Sequence, residues 1–284
     1  LTPVAQNLEG KKMKYTIIGA GMMGSAAAFD IATHNPNDEI VLADINIQQA
    51  KSAAAAISPN VTPVRVDVNN AKELVKLIEG SNAVISAVSY SVNLQTTKAA
   101  IEAGVPICDL GGNNDVLEKQ VALDTAAKER GITVVPNCGL APGLINILAM
   151  EGTREFEQVD SIHLRVGGLP QHPRPPLYYQ IVFSVEGLIN EYVEKATVIQ
   201  DGKPMLIDPM SGLEEIEFPP PFGTLEAFNT SGGLSTLTHL FEGKVKNLDY
   251  KTIRFKGHCE KFKTLLDLGF ATSEPMMVGG SVKT

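Results

Sequence analysis

Short apolar runs recur along the first half of the chain, and each is followed by a stretch with helical spacing. The run Tyr15-Thr16-Ile17-Ile18 reads as a buried strand, and Ala26, Ala27, Ala28, Phe29 and Ile31 open a helix after it. A second strand over 39–43 ends at Asp44, and further strands are expected at 61–68, 82–88, 105–110 and 132–135. Helices are expected at 71–79, with Leu74, Val75 and Ile78 on one face, at 94–103 before Gly104, and at 116–130 before Gly131. Strand–helix alternation at this spacing predicts an α/β fold with a doubly wound parallel sheet.

The pattern changes after Gly143. Residues 161–167 alternate with period two, four prolines crowd 170–176, and 182–192 suits an amphipathic helix. Segments 196–201 and 204–207 flank Gly202 as a hairpin, Pro219-Pro220-Pro221 reads as an irregular crossing, 235–241 as a short helix and 250–255 as a strand. Strands with few crossover helices predict an α+β unit on a largely antiparallel sheet. The expected division is 13–143 for one domain and 144–284 for the other. Residues 1–12 lack an initiating Met, match no element and are read as lying outside the fold, in part foreign to the natural chain.

Composition narrows the function classes. The 284 residues carry 24 basic and 32 acidic side chains, a formal net charge of −8, with no basic block of the kind nucleic-acid binding needs. No apolar run approaches the roughly twenty residues of a membrane span, and the start lacks a secretory pattern. Cys108, Cys138 and Cys259 are widely spaced, so neither a disulfide framework nor a metal cluster is expected. Each reads as a small buried apolar residue, and the set fits a reducing cytoplasm. No pair of histidines shows metal-ligand spacing, so no metal is expected.

Between the first strand and first helix stands Gly19-Ala20-Gly21-Met22-Met23-Gly24, a G-x-G-x-x-G, with Asp44 twenty residues beyond Gly24. That context is the dinucleotide fingerprint. Gly19 turns the chain, Gly21 lets the backbone approach a pyrophosphate, Gly24 lets the helix pack on the sheet, and the amides of Met22 and Met23 face the phosphates. Asp44 suits the two hydroxyls of an adenosine ribose and would repel a 2′-phosphate. No Arg directly follows it, so NAD is the expected cofactor rather than NADP.

Ligands bind such sheets at the carboxyl ends of the strands. Asp67 there would meet the adenine amino group or serve as a turn or cap residue. Tyr90 and Asn93 are expected near the nicotinamide ribose. Asp109 reads as a catalytic base or as an Asx residue that holds Gly111-Gly112.

The segment Cys138-Gly139-Leu140-Ala141-Pro142-Gly143-Leu144-Ile145-Asn146 resembles the G-x-x-P-G-x-x-N join of saccharopine-dehydrogenase-like enzymes. Also similar are Asp109-Leu110-Gly111-Gly112, Val166-Gly167-Gly168-Leu169-Pro170, Pro175-Pro176-Leu177-Tyr178-Tyr179, Phe183-Ser184-Val185-Glu186-Gly187-Leu188, Leu225-Glu226-Ala227-Phe228-Asn229-Thr230-Ser231-Gly232-Gly233 and Tyr250-Lys251-Thr252-Ile253-Arg254-Phe255-Lys256-Gly257-His258-Cys259-Glu260-Lys261. The likeness runs from about residue 13 onward. It is strongest to the lysine 6-dehydrogenase branch, whose members extend beyond the point matching Thr284.

The resemblance implies oxidative deamination of the ε-amine of L-lysine, with ammonia released and the aldehyde closing to a cyclic imine. An ε-ammonium has a pKa of about 10.4 and must lose a proton before hydride leaves. Glu186 is the expected amine-recognising acid, since saccharopine-forming relatives tend to carry a base there; otherwise it is a solvated helix residue. Tyr178 would donate to the carboxylate, relay a proton or simply pack. Thr230 and Ser231, before Gly232-Gly233, would form an anion nest or cap a helix. His258 reads as an acid–base group or a structural histidine, and Arg254 as a carboxylate partner or half of a cross-strand ion pair.

Arg165, Arg174, Arg254 and Lys256 keep open a saccharopine or carboxynorspermidine-type substrate. A non-catalytic NAD-binding sensor would need no substrate residues at all. The expected partners are a small amino acid and further copies of the chain, since an open sheet edge commonly self-associates.

Overall fold

The computed structural model describes residues 12–271, 276–278 and 281–283. The reading of residues 1–12 falls almost wholly outside them. The chain divides into two compact units, Leu1–Leu144 and Ile145–Thr284.

The first unit alternates β1 (Lys14–Ile18), α1 (Met22–His34), β2 (Glu39–Asp44), α2 (Ile47–Ile57), β3 (Val61–Arg65), α3 (Ala71–Ile78), β4 (Ala83–Ser86), α4 (Asn93–Ala103), β5 (Ile107–Asp109), α5 (Asn114–Val121), α6 (Asp124–Arg130) and β6 (Val134–Val135). All six strands pair in parallel in the order β3-β2-β1-β4-β5-β6. Alternate strand residues feed two cores. Ile17, Ile40 and Leu42 pack with Ala28, Ala50 and Ala54 on one face, while Ile18, Ala43 and Val84 pack with Leu74, Ile78 and Ala99 on the other. Helices on both faces make the sheet doubly wound, as the alternation predicts. The helix expected over 116–130 is two helices, because the chain turns at Ala122 and Leu123 between α5 and α6. The strands are shorter than the apolar runs, since hydrophobicity continues into the buried loops that follow them.

The second unit contains α7 (Leu144–Thr153), β7 (Ser161–Gly167), α8 (Val185–Val193), β8 (Ala196–Gln200), β9 (Lys203–Ile207), β10 (Glu214–Phe218), β11 (Gly223–Asn229), α9 (Leu237–Phe241), β12 (Asn247–Phe255) and α10 (His258–Asp267). A short hairpin, β13 (Met276–Val278) with β14 (Ser281–Lys283), follows. The main sheet runs β10-β11-β12-β8-β9 and is antiparallel, with β7 added parallel to β12. This is the largely antiparallel α+β sheet that the sequence predicts. The proline triplet is no irregular crossing; it opens the turn between β10 and β11, whose register runs to Phe218↔Gly223.

Strand β12 carries polar side chains on both faces. Tyr250, Thr252 and Arg254 are buried at 6%, 2% and 4% exposure, a burial that puts them in the interior of the unit. On the opposite face, Asp249 pairs with Arg165, and Lys251 with Glu214, which Arg165 also holds. Glu226, cross-strand from Arg254, makes no ion pair with it; its carboxylate instead accepts from the amides of Gly257 (2.8 Å) and Cys259 (2.6 Å). It thereby supplies from β11 the cap that α10 lacks locally, since no side chain of Gly257 exists to do so. Replacing Glu226 by alanine leaves both amides unpaired in a buried position and is expected to lower stability by about 3 kcal/mol. Urea unfolding of wild type, E226A and E226Q should rank the glutamine variant between the other two.

Candidate active site

The first strand of the first unit ends in a turn that Gly19 makes at φ +101°, and a Cβ there would meet the Ala87 carbonyl at 2.5 Å. At Gly24 a Cβ would lie 1.8 Å from the Gly19 carbonyl, so α1 reaches the sheet only with glycine at that position. Gly21 differs from both. It N-caps α1 with no side-chain bond, no acid stands in the first turn, and a Cβ on it would meet nothing within 4 Å. The space above Gly21 is therefore not needed for packing, and the first-turn amides, with Met22 and Met23 58% and 49% exposed beside them, stay available to an anion.

Asp44 closes the other side of a cleft lined by Ile18, Gly19, Asp67, Asn69 and Val88. Its Oδ2 accepts from the Ala20 amide and its Oδ1 from the Asn46 amide, both at 2.8 Å. Each oxygen keeps lone-pair capacity for a hydroxyl donor. Asp67 faces the same cleft and accepts from the amide and side chain of Asn69, while Asn70, not Asp67, caps α3. These groups fit a nucleotide: Gly19 and the fixed Asp44 carboxylate line one cleft, and the uncapped start of α1 follows two residues after Gly19.

Tyr90 begins a short 3₁₀ turn after β4, and its ring lies where a Cβ on Gly112 would touch it. Asn93 is 1% exposed and accepts from Ser86 Oγ inside a polar core cluster with Thr96, so it is a packing residue rather than a ribose contact. Of the two roles read for Asp109, the geometry shows the second. Its carboxylate is 2% exposed and accepts from Gly111 and Asn137 amides and from Gln120 Nε2 at 2.6 Å. Three donors tie Asp109 to the loops after β5 and β6 and to α5, which fixes its carboxylate in place.

In the second unit, a hydrogen-bonded line runs through the buried face of β12. Arg254 Nε donates to the Tyr192 hydroxyl (3.0 Å), and the Tyr192 hydroxyl lies 3.1 Å from His258 Nε2. His258 Nδ1 faces the Leu177 carbonyl at 2.8 Å. A carbonyl only accepts, so the imidazole proton sits on Nδ1 and Tyr192 donates to Nε2. Burial then holds His258 down to about 4, and it stays neutral. It is a positioning residue, not a free acid or base.

Arg254 also donates to the Ile253 carbonyl and lies over the Tyr179 ring at 4.7 Å. Among the described residues no carboxylate comes within salt-bridge distance of its guanidinium. Glu191 is the acid whose charge it feels, and burial pushes that carboxyl up to about 7 against the pull of Arg254. Tyr179 carries a buried hydroxyl with no partner.

The structure brings Arg254 and His258 together, and it does not bring the other expected substrate residues to them. Glu186 stands exposed in the first turn of α8. Tyr178 takes φ +52° and turns its ring under Lys261 Nζ at 4.8 Å, so the neighbour Tyr179 enters the cluster instead. The Thr230 hydroxyl bonds that of Thr252 (2.8 Å), and Ser231 donates from its hydroxyl to the Asn190 carbonyl and from its amide to the Glu191 carbonyl, so both side chains and one amide of the expected nest are engaged within the unit. Neither caps α9, which starts at Leu237 behind Thr236.

Glu191 and Tyr192 were not singled out from the sequence. The signal was present: they stand three and four residues after the buried Leu188, on the inward face of the amphipathic helix.

Comparison with known proteins agrees with this arrangement. Residues 15–135 match the family model described as the saccharopine dehydrogenase NADP binding domain, and residues 139–281 match the saccharopine dehydrogenase C-terminal domain. The first unit is thus a pyridine-nucleotide-binding domain of the Rossmann type. The chain belongs to the saccharopine dehydrogenase family. It is 25% identical over 282 residues to the mitochondrial alpha-aminoadipic semialdehyde synthase of Mus musculus, covering 93% of this chain and 29% of that protein. It is 24% identical over 269 residues to the NADP(+), L-glutamate-forming saccharopine dehydrogenase of Pyricularia oryzae, covering 91% and 58%. The apo saccharopine dehydrogenase structure from Saccharomyces cerevisiae shares the fold, with TM-score 0.73 at 21% identity over 93% of this chain and 61% of that one. The chain therefore spans less than two thirds of the length of each of these three relatives. No helix among the described residues is long and apolar enough to cross a membrane.

Proposed function

We propose that the protein is an NAD-dependent dehydrogenase that oxidatively deaminates the ε-amine of L-lysine to the 6-semialdehyde, working in the cytoplasm as a homo-oligomer. The observation that carries the reading is in the second unit: a buried guanidinium without a carboxylate partner, close to an acid that titrates near 7. Arg254 supports binding of an α-carboxylate. Glu191, once deprotonated, is suited to take a proton from an ammonium. The Tyr192–His258 line holds Arg254 in place, and the Tyr179 hydroxyl offers a further donor. When bound, the nicotinamide supplies the hydride acceptor.

A second reading, saccharopine as substrate, draws on the named relatives. It requires several free cations. Two of the four available, Arg165 and Lys256, already sit in ion pairs with Glu214, Asp249 and Glu215. Following cofactor reduction with L-lysine and with saccharopine separates the two. Turnover of saccharopine alone would overturn the lysine assignment, and NAD binding with no amino acid binding afterwards would favour a sensor.

For the cofactor, the carboxylate of Asp44 supports NAD. The competing choice, NADP, draws on the family description and on Arg65, which stands opposite Asp44 in the β2–β3 register. Replacing Asp44 by serine removes the repulsion toward a 2′-phosphate and the clamp on the ribose. The NAD-to-NADP preference is expected to fall by on the order of 100-fold, about 2.7 kcal/mol, measured as the ratio of the two dissociation constants. A wild type that already prefers NADP would refute the assignment.

A further inference from the structure

Two of the three cysteines lie together. Cys108 occupies the middle of β5, and parallel register places it opposite Val135 of β6. Three residues on, the Cys138 thiol turns back to 3.4 Å from the Val135 carbonyl, and the Cys138 amide donates at 2.7 Å to the carbonyl of Asp109, the neighbour of Cys108. Cys138 is exposed and Cys108 half-buried. Neither is the isolated buried apolar residue that its spacing in the sequence suggests. Cys259 is that residue: buried in the second unit, pushed up to about 11 by desolvation.

We propose that Cys108 and Cys138 are a reversible redox pair, a modification site at which peroxide or a disulfide oxidant closes a cross-link between β5 and the loop after β6. The electrostatics agree with the geometry. Each thiol is the strongest influence on the other, bringing Cys138 down to about 7 and driving Cys108 upward. The exposed partner is the one an oxidant reaches first, and the half-buried partner stands beside it to resolve.

The chemistry balances with hydrogen peroxide as oxidant. The Cys138 thiolate attacks one peroxide oxygen; an S–O bond forms, the O–O bond breaks, and the departing hydroxide takes a proton to become water. Cys108 then gives up its proton and attacks the sulfenic sulfur; the S–S bond forms, the S–O bond breaks, and a second water leaves. The two thiols lose two electrons, and one peroxide becomes two waters. The cross-link joins the same two loops that Asp109 ties through Gly111 and Asn137.

The test treats the whole chain with stoichiometric peroxide and maps its peptides without reduction. The expected result is one linked peptide containing Cys108 and Cys138, free thiols falling from three to one, and full recovery with dithiothreitol. In C108S the resolving thiol is gone, so dimedone should trap a sulfenic acid on Cys138 that wild type does not accumulate. Three surviving thiols, a bond to Cys259, or sulfinic acid on wild-type Cys138 without a cross-link would each overturn the pair. The wild-type map decides the matter even if C108S fails to fold.

Discussion

Replacing Gly21 by valine is expected to leave the fold intact and to weaken NAD binding by at least about 100-fold, roughly 2.7 kcal/mol. The backbone at Gly21 is extended, with φ −74°, a conformation any residue adopts, and a Cβ there touches nothing. The branch atom of valine therefore meets no protein atom. It fills the space that the pyrophosphate would occupy above the first amides of α1. The neighbouring glycines behave in the opposite way. G24A forces a Cβ into the Gly19 carbonyl, and G19A sets a side chain at φ +101° against Ala87; both should lower the melting temperature markedly. Calorimetric titration with NAD, beside thermal melts of the three variants, checks the contrast. Unchanged affinity in a well-folded G21V would remove the basis for the cofactor site.

The second large effect is expected at Glu191. The glutamine variant should lose on the order of 10²–10⁴ in kcat/KM, the usual worth of a positioned acid–base group, and should gain stability. The carboxyl is held up to about 7 from an ordinary 4.5, so the folded state favours its protonated form. That contribution is full below about 4.5 and is lost as pH rises through 7, a swing of about 3 kcal/mol. Glutamine, always neutral, escapes the loss, so E191Q should exceed wild type at pH 8 and match it at pH 4.5.

His258 works with the reverse sign. Its depressed pKa stabilises fully above 6.5 and loses that stability as pH falls toward about 4. In wild type the two trends oppose each other between about pH 6.5 and 4.5, and the profile there should be nearly flat. Removing Glu191 should expose the acid-side decline. Denaturant unfolding across this range measures both claims, and a flat E191Q profile would contradict them. Wild-type activity should rise with pH through about 7 as Glu191 deprotonates.

The first unit was legible because its signals are local. The fingerprint, the distal Asp44 and the capping glycines each act over a few residues, and a buried parallel strand reads as an apolar run. The second unit was legible in class and less so in detail. β10 was missed because Glu214-Glu215-Ile216-Glu217 is too acidic to read as a strand, yet Glu214 is neutralised by Arg165 and Lys251 from two other strands. Motif matching led to Glu186 and Tyr178, while tertiary packing sets Glu191 and Tyr179, five and one positions away, near the buried Arg254. Which of two adjacent tyrosines turns inward depends on a left-handed backbone step at Tyr178 that no spacing rule foretells.

With ion pairs on one side of β12 and the arginine–phenol–imidazole line on the other, the strand carries its own alignment code. Shifting it by a single position would send Lys251 and Asp249 into the aromatic interior and strand Arg254 among carboxylates built for other partners. A purely greasy strand could slide at little cost; this one is penalised twice for every wrong pairing. Insertions and deletions within 247–255 should therefore be lethal to folding even where they keep the hydrophobic count unchanged, whereas the hairpin tip at Gly202 should absorb them.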